Sequence, residues 1–217
     1  NFLFSMDVSL LLSKFLGYII VSFSMFMKVP QILSIYNAKT GYGVSLQSFT
    51  IEIFLYSISF NYHYQNNFPL STYFDYFFLL VQDIIIILLI LYYANKFTPI
   101  FYTFACTFLS FFFILFFGLF PLSLLEILQA LTIPFFIIAK IPQIYSNFVE
   151  KSTGSLSLLT TLGLTAGNII RIFTTLKEMD GDFTMLFSYT LGALVNIIIV
   201  TQILIYGNKP PTTKKNN

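Results

Sequence analysis

Among the residues able to ionise or hydrogen-bond that interrupt otherwise apolar runs are Gln47, Glu52, Gln82, Asp83, Asn168 and Asn196. An ionised carboxylate facing hydrocarbon costs several kcal/mol, so Glu52 and Asp83 must face a bundle interior or carry a proton. At 1.5 Å per residue, Glu52 falls ~12 Å inside one membrane edge, and Asp83 and Asn196 fall ~20 Å inside the other; in a core ~30 Å thick the three share nearly one level. The two acids point to a functional cavity, a few polar groups in an apolar shell. The amides admit two readings, cavity lining or hydrogen bonds that hold helices together.

A second set, Arg171, His63, Asp75 and Glu126, lies towards the opposite edge. Arg171 is the only arginine, and its fork can grip a phosphate or carboxylate in two-pronged fashion or pair with Asp75 or Glu126. Lys28 and Lys140 close apolar runs, where an ammonium snorkels to lipid phosphates. With Arg171 they form the expected phosphate contacts. His63, flanked by Tyr62 and Tyr64, reads as interfacial, and Cys106 as an inert thiol in an apolar run. The run EMDGD at 178–182 lacks the ligand pattern of a calcium loop. Without a phosphate-cradling glycine loop, zinc-ligand spacing or nucleophile elbow, the chain is expected to be non-enzymatic, with no metal and no cofactor.

The elements that must position these groups follow from composition. Hydrophobic residues make up 57% and charged residues 9% of the 217; an ordinary soluble domain carries about 25% charged. The chain is an all-α membrane protein, since unbroken apolar runs exclude the alternation of a barrel. A net charge of +2 gives no reason to expect nucleic acid as a partner. Seven runs are long enough to span, roughly 8–27, 44–64, 70–93, 98–120, 122–141, 155–176 and 183–206.

One stretch occurs twice. KVPQILSIYNAKTGYGVSL at 28–46 and KIPQIYSNFVEKSTGSLSL at 140–158 align without a gap at an offset of 112 residues. The chain therefore reads as two related three-helix units. Two such units in the same orientation need one extra crossing, supplied by the run 98–120, which holds no Asp, Glu, Lys, Arg, Asn or Gln. The expected architecture is 3+1+3, with parallel repeats about an axis along the membrane normal. Its boundaries are 1–97 for the first repeat, 98–120 for the linker helix, 121–208 for the second repeat and 209–217 for a tail.

Alternating the crossings puts Lys28, Lys39, Lys96, Lys140, Lys151, Lys209, Lys214 and Lys215 on one side and Lys177 on the other. The positive side is expected to be cytosolic, which places the amino terminus in the lumen or outside. Pro30 and Pro142 each remove an N–H and free a carbonyl that Gln31 and Gln143 can satisfy; the four residues form either a static kink or a pair of hinges. The chain begins with Asn1 rather than Met, so a short leading piece is expected to be missing.

The segments KVPQ and KIPQ resemble the PQ-loop repeat family. Within it, GVSLQS at 43–48 with Glu52, NNFP at 66–69, Gln82, LQA at 128–130 with Pro134, and RIFTTLKEMDGD at 171–182 are similar to the branch concerned with dolichol-linked sugars. The resemblance implies a non-enzymatic protein of the endoplasmic reticulum membrane, needed for use of dolichol-phosphate-mannose and dolichol-phosphate-glucose in N-glycan assembly, glycosylphosphatidylinositol anchors and mannosylation. Its implied partner is a dolichol-linked sugar lipid, with glycosyltransferase or coat-protein contacts. The terminal KKNN, with Lys214 and Lys215, looks like a dilysine retrieval signal on a cytosolic tail. The alternatives are a transporter of a small soluble solute such as a sugar or amino acid, with Asp83 and Glu52 titrating, and a receptor for lumenal cargo.

Overall fold

A computed structural model of the chain describes residues 7–41, 44–153 and 157–207. Among these residues, regular structure is helical. It comprises α1 (Val8–Ser24), α2 (Val29–Ala38), α3 (Leu46–Gln65), a 3-10 turn (Leu70–Thr72), α4 (Phe74–Tyr93), α5 (Pro99–Phe116), α6 (Leu122–Glu150), α7 (Leu158–Glu178) and α8 (Phe183–Tyr206). Reading α1 and α2 as one broken segment leaves seven helical segments. Five segments are long and apolar enough to cross a membrane: Val8–Ala38, α4, α5, α6 and α8. The other two, α3 and α7, have 20 and 21 residues, but serine, threonine and asparagine dilute their apolar content.

The repeat offset is written into the backbone. Ser45 and Ser157 both cap a helix, their hydroxyls accepting from Ser48 N and Thr160 N, which satisfies amides that a helix start leaves without partners. Lys39 and Lys151 both turn left-handed, at φ 50° and 49°, and so do Asn95 and Gly207, at 51° and 67°. Each pair is separated by 112 residues, so positive φ recurs at equivalent positions near the helix ends of the two repeats.

Two expectations about the duplicated stretch change. The run 8–27 was expected to end at Lys28, leaving a loop; instead the first segment breaks at residues 25–28 and continues as α2 to Ala38. Pro30 falls in the first turn of α2, where its missing N–H would have had no intrahelical partner. In the second repeat the helix passes through both Pro134 and Pro142 and ends only at Glu150. Lys28 and Lys140 consequently lie inside spanning segments and drop out of the loop charges used to orient the chain. Lys209, Lys214, Lys215 and the rest of the tail beyond residue 207 lie outside the described residues.

The chain divides into two compact units, Asn1–Gln129 and Ala130–Asn217. In the first, α1, α2 and α3 all pack on α4. Ile35, Ile53, Leu80, Ile86, Ile87 and Ile90 form its apolar core. Helix α5, expected to link the repeats, belongs to this unit and packs on α3, with the Phe54 ring 6.1, 5.3 and 5.4 Å from Phe104, Phe108 and Phe111. Gly17 lets α1 approach the 3-10 turn: a Cβ there would stand 2.6 Å from the Ser71 carbonyl oxygen. In the second unit α7 lies along α8, with Gly192 against Asn168: a Cβ there would meet Asn168 Oδ1 at 2.8 Å.

Candidate functional site

The break in the first segment is where the chemistry collects. Residues 25–28 leave the α-helical ladder, and α4 takes up the freed backbone groups through one side chain. Gln82 Oε1 accepts from the Lys28 N–H at 2.9 Å, while Gln82 Nε2 donates to the Ser24 carbonyl at 2.9 Å and to the Phe78 carbonyl at 2.8 Å. Gln31, expected to satisfy the carbonyl freed by Pro30, is half-buried one residue past it.

With its backbone held, Lys28 points into the unit. Its ammonium donates to Asp83 Oδ1 at 2.5 Å and to Glu52 Oε2, pairing with both carboxylates. The Lys28 side chain is 13% exposed, Glu52 36% and Asp83 0%, so Asp83 is sealed and Glu52 is the open edge of the cluster. The rings of Phe49 and Tyr56 stand 5.1 and 5.2 Å from the ammonium, adding the attraction of their π faces. Asp83 Oδ2 is buried without a hydrogen-bond partner. Three ionised groups would leave one excess negative charge, focused where water is scarce and the local field is strong.

Glu52, Gln82 and Asp83 come together around Lys28, which, expected to reach a lipid phosphate, instead pairs with the two carboxylates. Glu52 and Asp83 had been put at one level by helix arithmetic, and one ammonium spans both. What sequence reasoning missed is that Lys28 lies inside the bilayer segment. The signal was present: two acids and one lysine in neighbouring apolar runs nearly balance. Gln47 is exposed on the first turn of α3, more than a turn from Glu52.

In the second unit the equivalents of Glu52 and Asp83 are Leu164 and Val195, so no matching acidic pair faces Lys140. Lys140 is half-buried in the middle of α6, as is Gln143, while Pro142 is exposed. Asn168 Nδ2 donates to the Leu164 carbonyl at 3.0 Å; Asn196 is 3% exposed, and its Oδ1 is buried without a partner. A second glutamine clasp joins α8 to α6: Gln202 Nε2 donates to the Ile144 carbonyl and Gln202 Oε1 accepts from Asn147 Nδ2, both at 2.9 Å. Arg171 is 5% exposed on α7, among buried Thr174 and Thr175.

The remaining polar expectations resolve individually. His63 is fully buried within the protein, in the last turn of α3. Its Nδ1 lies 2.7 Å from the Ser59 carbonyl oxygen, and its ring stacks 5.5 Å from that of Tyr73. Asp75 is buried and Glu126 exposed. Among the described residues no group of three or more His, Cys, Asp or Glu side chains is placed to hold a metal ion.

Comparison with known proteins gives this arrangement a family. The PQ loop repeat model matches residues 12–72 and 124–179, together more than half of the chain. The two matches begin 112 residues apart, at the offset of the internal repeat. Solute carrier family 66 member 3 of Homo sapiens is 28% identical over 185 residues, covering 83% of this chain and 87% of that protein. Two model matches on the two duplicated stretches, each carrying its PQ dipeptide, show that the chain belongs to the PQ-loop repeat family.

Proposed function

We propose that this protein is a non-enzymatic membrane carrier of a small polar solute, with Lys28, Glu52 and Asp83 as its charged centre. One observation carries the reading: two carboxylates share one ammonium inside a segment set that spans the bilayer. Ionisable groups at that depth are costly to keep, and their usual place is on a substrate or ion pathway. A solute carrier among its relatives supports the same reading. The excess carboxylate favours a solute that brings hydrogen-bond donors to Asp83, and partly exposed Glu52 is the route by which it reaches the cluster. The 3+1+3 arrangement, with the lysine-rich turns at Lys39 and Lys151 in the cytosol, belongs to this proposal.

The test is flux into liposomes carrying the purified protein, with sugars and amino acids offered in turn. Saturable uptake that falls at least tenfold in Asp83→Asn, in protein that still folds, is the expected outcome. Uptake untouched by both Asp83→Asn and Glu52→Gln would remove the centre from the pathway.

A second reading is supported by the segments at 43–48, 66–69 and 171–182. It places the protein in the endoplasmic reticulum, serving the use of dolichol-phosphate-mannose and dolichol-phosphate-glucose by binding, presenting or moving the lipid-linked sugar. Glycosyltransferase and coat-protein contacts belong to it as well. A truncated N-glycan profile in cells lacking the protein is its expected signature, and a normal profile would dismiss it.

A further inference from the structure

The two repeats differ most usefully where they ought to match. In the first, Ile35 and Ile90 both lie in the apolar core. Their equivalents are Asn147 and Gln202, which hydrogen-bond one another. Ile86 of the first core is 0% exposed, whereas its equivalent Ile198 is 47% exposed. The second unit therefore keeps open, between α6 and α8, a face that the first unit closes.

That face is a groove of about 450 Å³ lined by Ile141, Ile144, Tyr145, Phe148, Ile198 and Gln202. On α6, Ile141, Ile144 and Phe148 follow one another at helical spacing, and Lys151 stands in the left-handed turn just past the helix end; on α8, Ile198, Gln202 and Tyr206 are spaced likewise. Both stripes finish at the same place. Lys151 Nζ lies 3.4 Å from Tyr206 Oη, and stands 3.9 Å from the Phe148 ring centroid and 5.0 Å from that of Tyr206. Lys151 follows directly on the spanning segment Leu122–Glu150, at the level where the oily core gives way to head groups. Among the described residues it has no carboxylate partner within ion-pair distance. An apolar slot between spanning helices that ends on an unneutralised ammonium is complementary to one hydrocarbon chain with a phosphate at its end.

We propose that the α6–α8 groove of the second repeat binds a phosphate-headed lipid, its chain lying along Ile141, Tyr145 and Ile198 and its phosphate meeting Lys151. Gln202 forms the floor and is kept from competing for the ligand by its bonds to Asn147 and Ile144. The site stands on the groove and Lys151, apart from the Lys28 cluster; its ligand shares the phosphate-headed chemistry of the second reading of function but does not rest on that reading.

The test uses the full-length protein in detergent and a single-chain probe, oleoyl lysophosphatidate, with mono-olein and inorganic phosphate as controls, read by native mass spectrometry. Saturable binding of the lysophosphatidate, at least tenfold weaker in Lys151→Gln and lost in Ile198→Trp, is expected. Ile205→Trp, on the same helix outside the groove, should bind as the parent does. Since Ile198→Trp could disturb folding, the exposed Lys151→Gln carries the decision by itself. Equal binding of mono-olein, or undiminished binding in Lys151→Gln, would each overturn the proposal. Solute flux in liposomes should persist in Lys151→Gln, which separates loss of this site from loss of the carrier.

Discussion

Gln82 lies 58 residues from Ser24 and donates to its carbonyl at 2.9 Å, and Gln202 lies 58 residues from Ile144 and donates to its carbonyl at the same distance. Neither glutamine belongs to the duplicated stretch, and their separation of 120 rather than 112 shows that they are not equivalent positions. In each unit a glutamine of the last helix donates to a carbonyl of the first, at positions two turns apart, but only in the first unit does that helix break there.

The first prediction concerns that clasp. Gln82→Leu removes the acceptor of the Lys28 N–H, and a buried donor left without a partner costs about 1–3 kcal/mol. Gln47→Leu, at an exposed position, should change stability by no more than about 0.5 kcal/mol. Chemical unfolding in detergent would compare the two, and equal effects would mean that Gln82 does not hold the break.

Lys28 should be far less replaceable than Lys140. Lys28→Met strands two carboxylates, one of them fully buried, and breaking a buried pair in this way costs about 3–5 kcal/mol. Lys140→Met leaves no acid stranded at the equivalent positions and should cost about 1 kcal/mol or less. The triple variant Lys28→Met, Glu52→Gln, Asp83→Asn should recover much of the loss, because no charge is left unpaired. No recovery in the triple variant would show that the effect of Lys28 is packing, not charge.

The glycines sort by what they face. Gly17→Ala sets a methyl against the Ser71 backbone and should cost about 1–3 kcal/mol, whereas Gly163, with nothing within 4 Å, should accept alanine with a gain of up to about 1 kcal/mol. Gly192→Ala meets the tip of Asn168 instead, so adding Asn168→Ala should relieve part of its cost. Melting temperatures in detergent would rank the four variants.

The paired caps offer a test of the symmetry. Ser45→Ala and Ser157→Ala should each lose about 1 kcal/mol, with closely similar values, since each hydroxyl accepts one first-turn amide. A large difference, measured by the same unfolding assay, would show that only one repeat depends on its cap.

Sequence alone determined the membrane class, the duplication and its offset, and the bounds of α8, because apolar runs and self-similarity are local properties of the chain. It also set Glu52 and Asp83 at one depth, since depth along a helix is arithmetic. It did not determine where the first segment stops. A lysine ahead of a proline reads as a helix end at a membrane edge, and only α4, supplying Gln82 to the opened backbone and two helices' carboxylates to the ammonium, makes a charged break tolerable within the span. The same holds for the α6–α8 groove. Ile35 and Asn147 are equivalent letters in a repeat, and which one closes a core and which one leaves a slot is decided by the side chains that meet them across the helix pair.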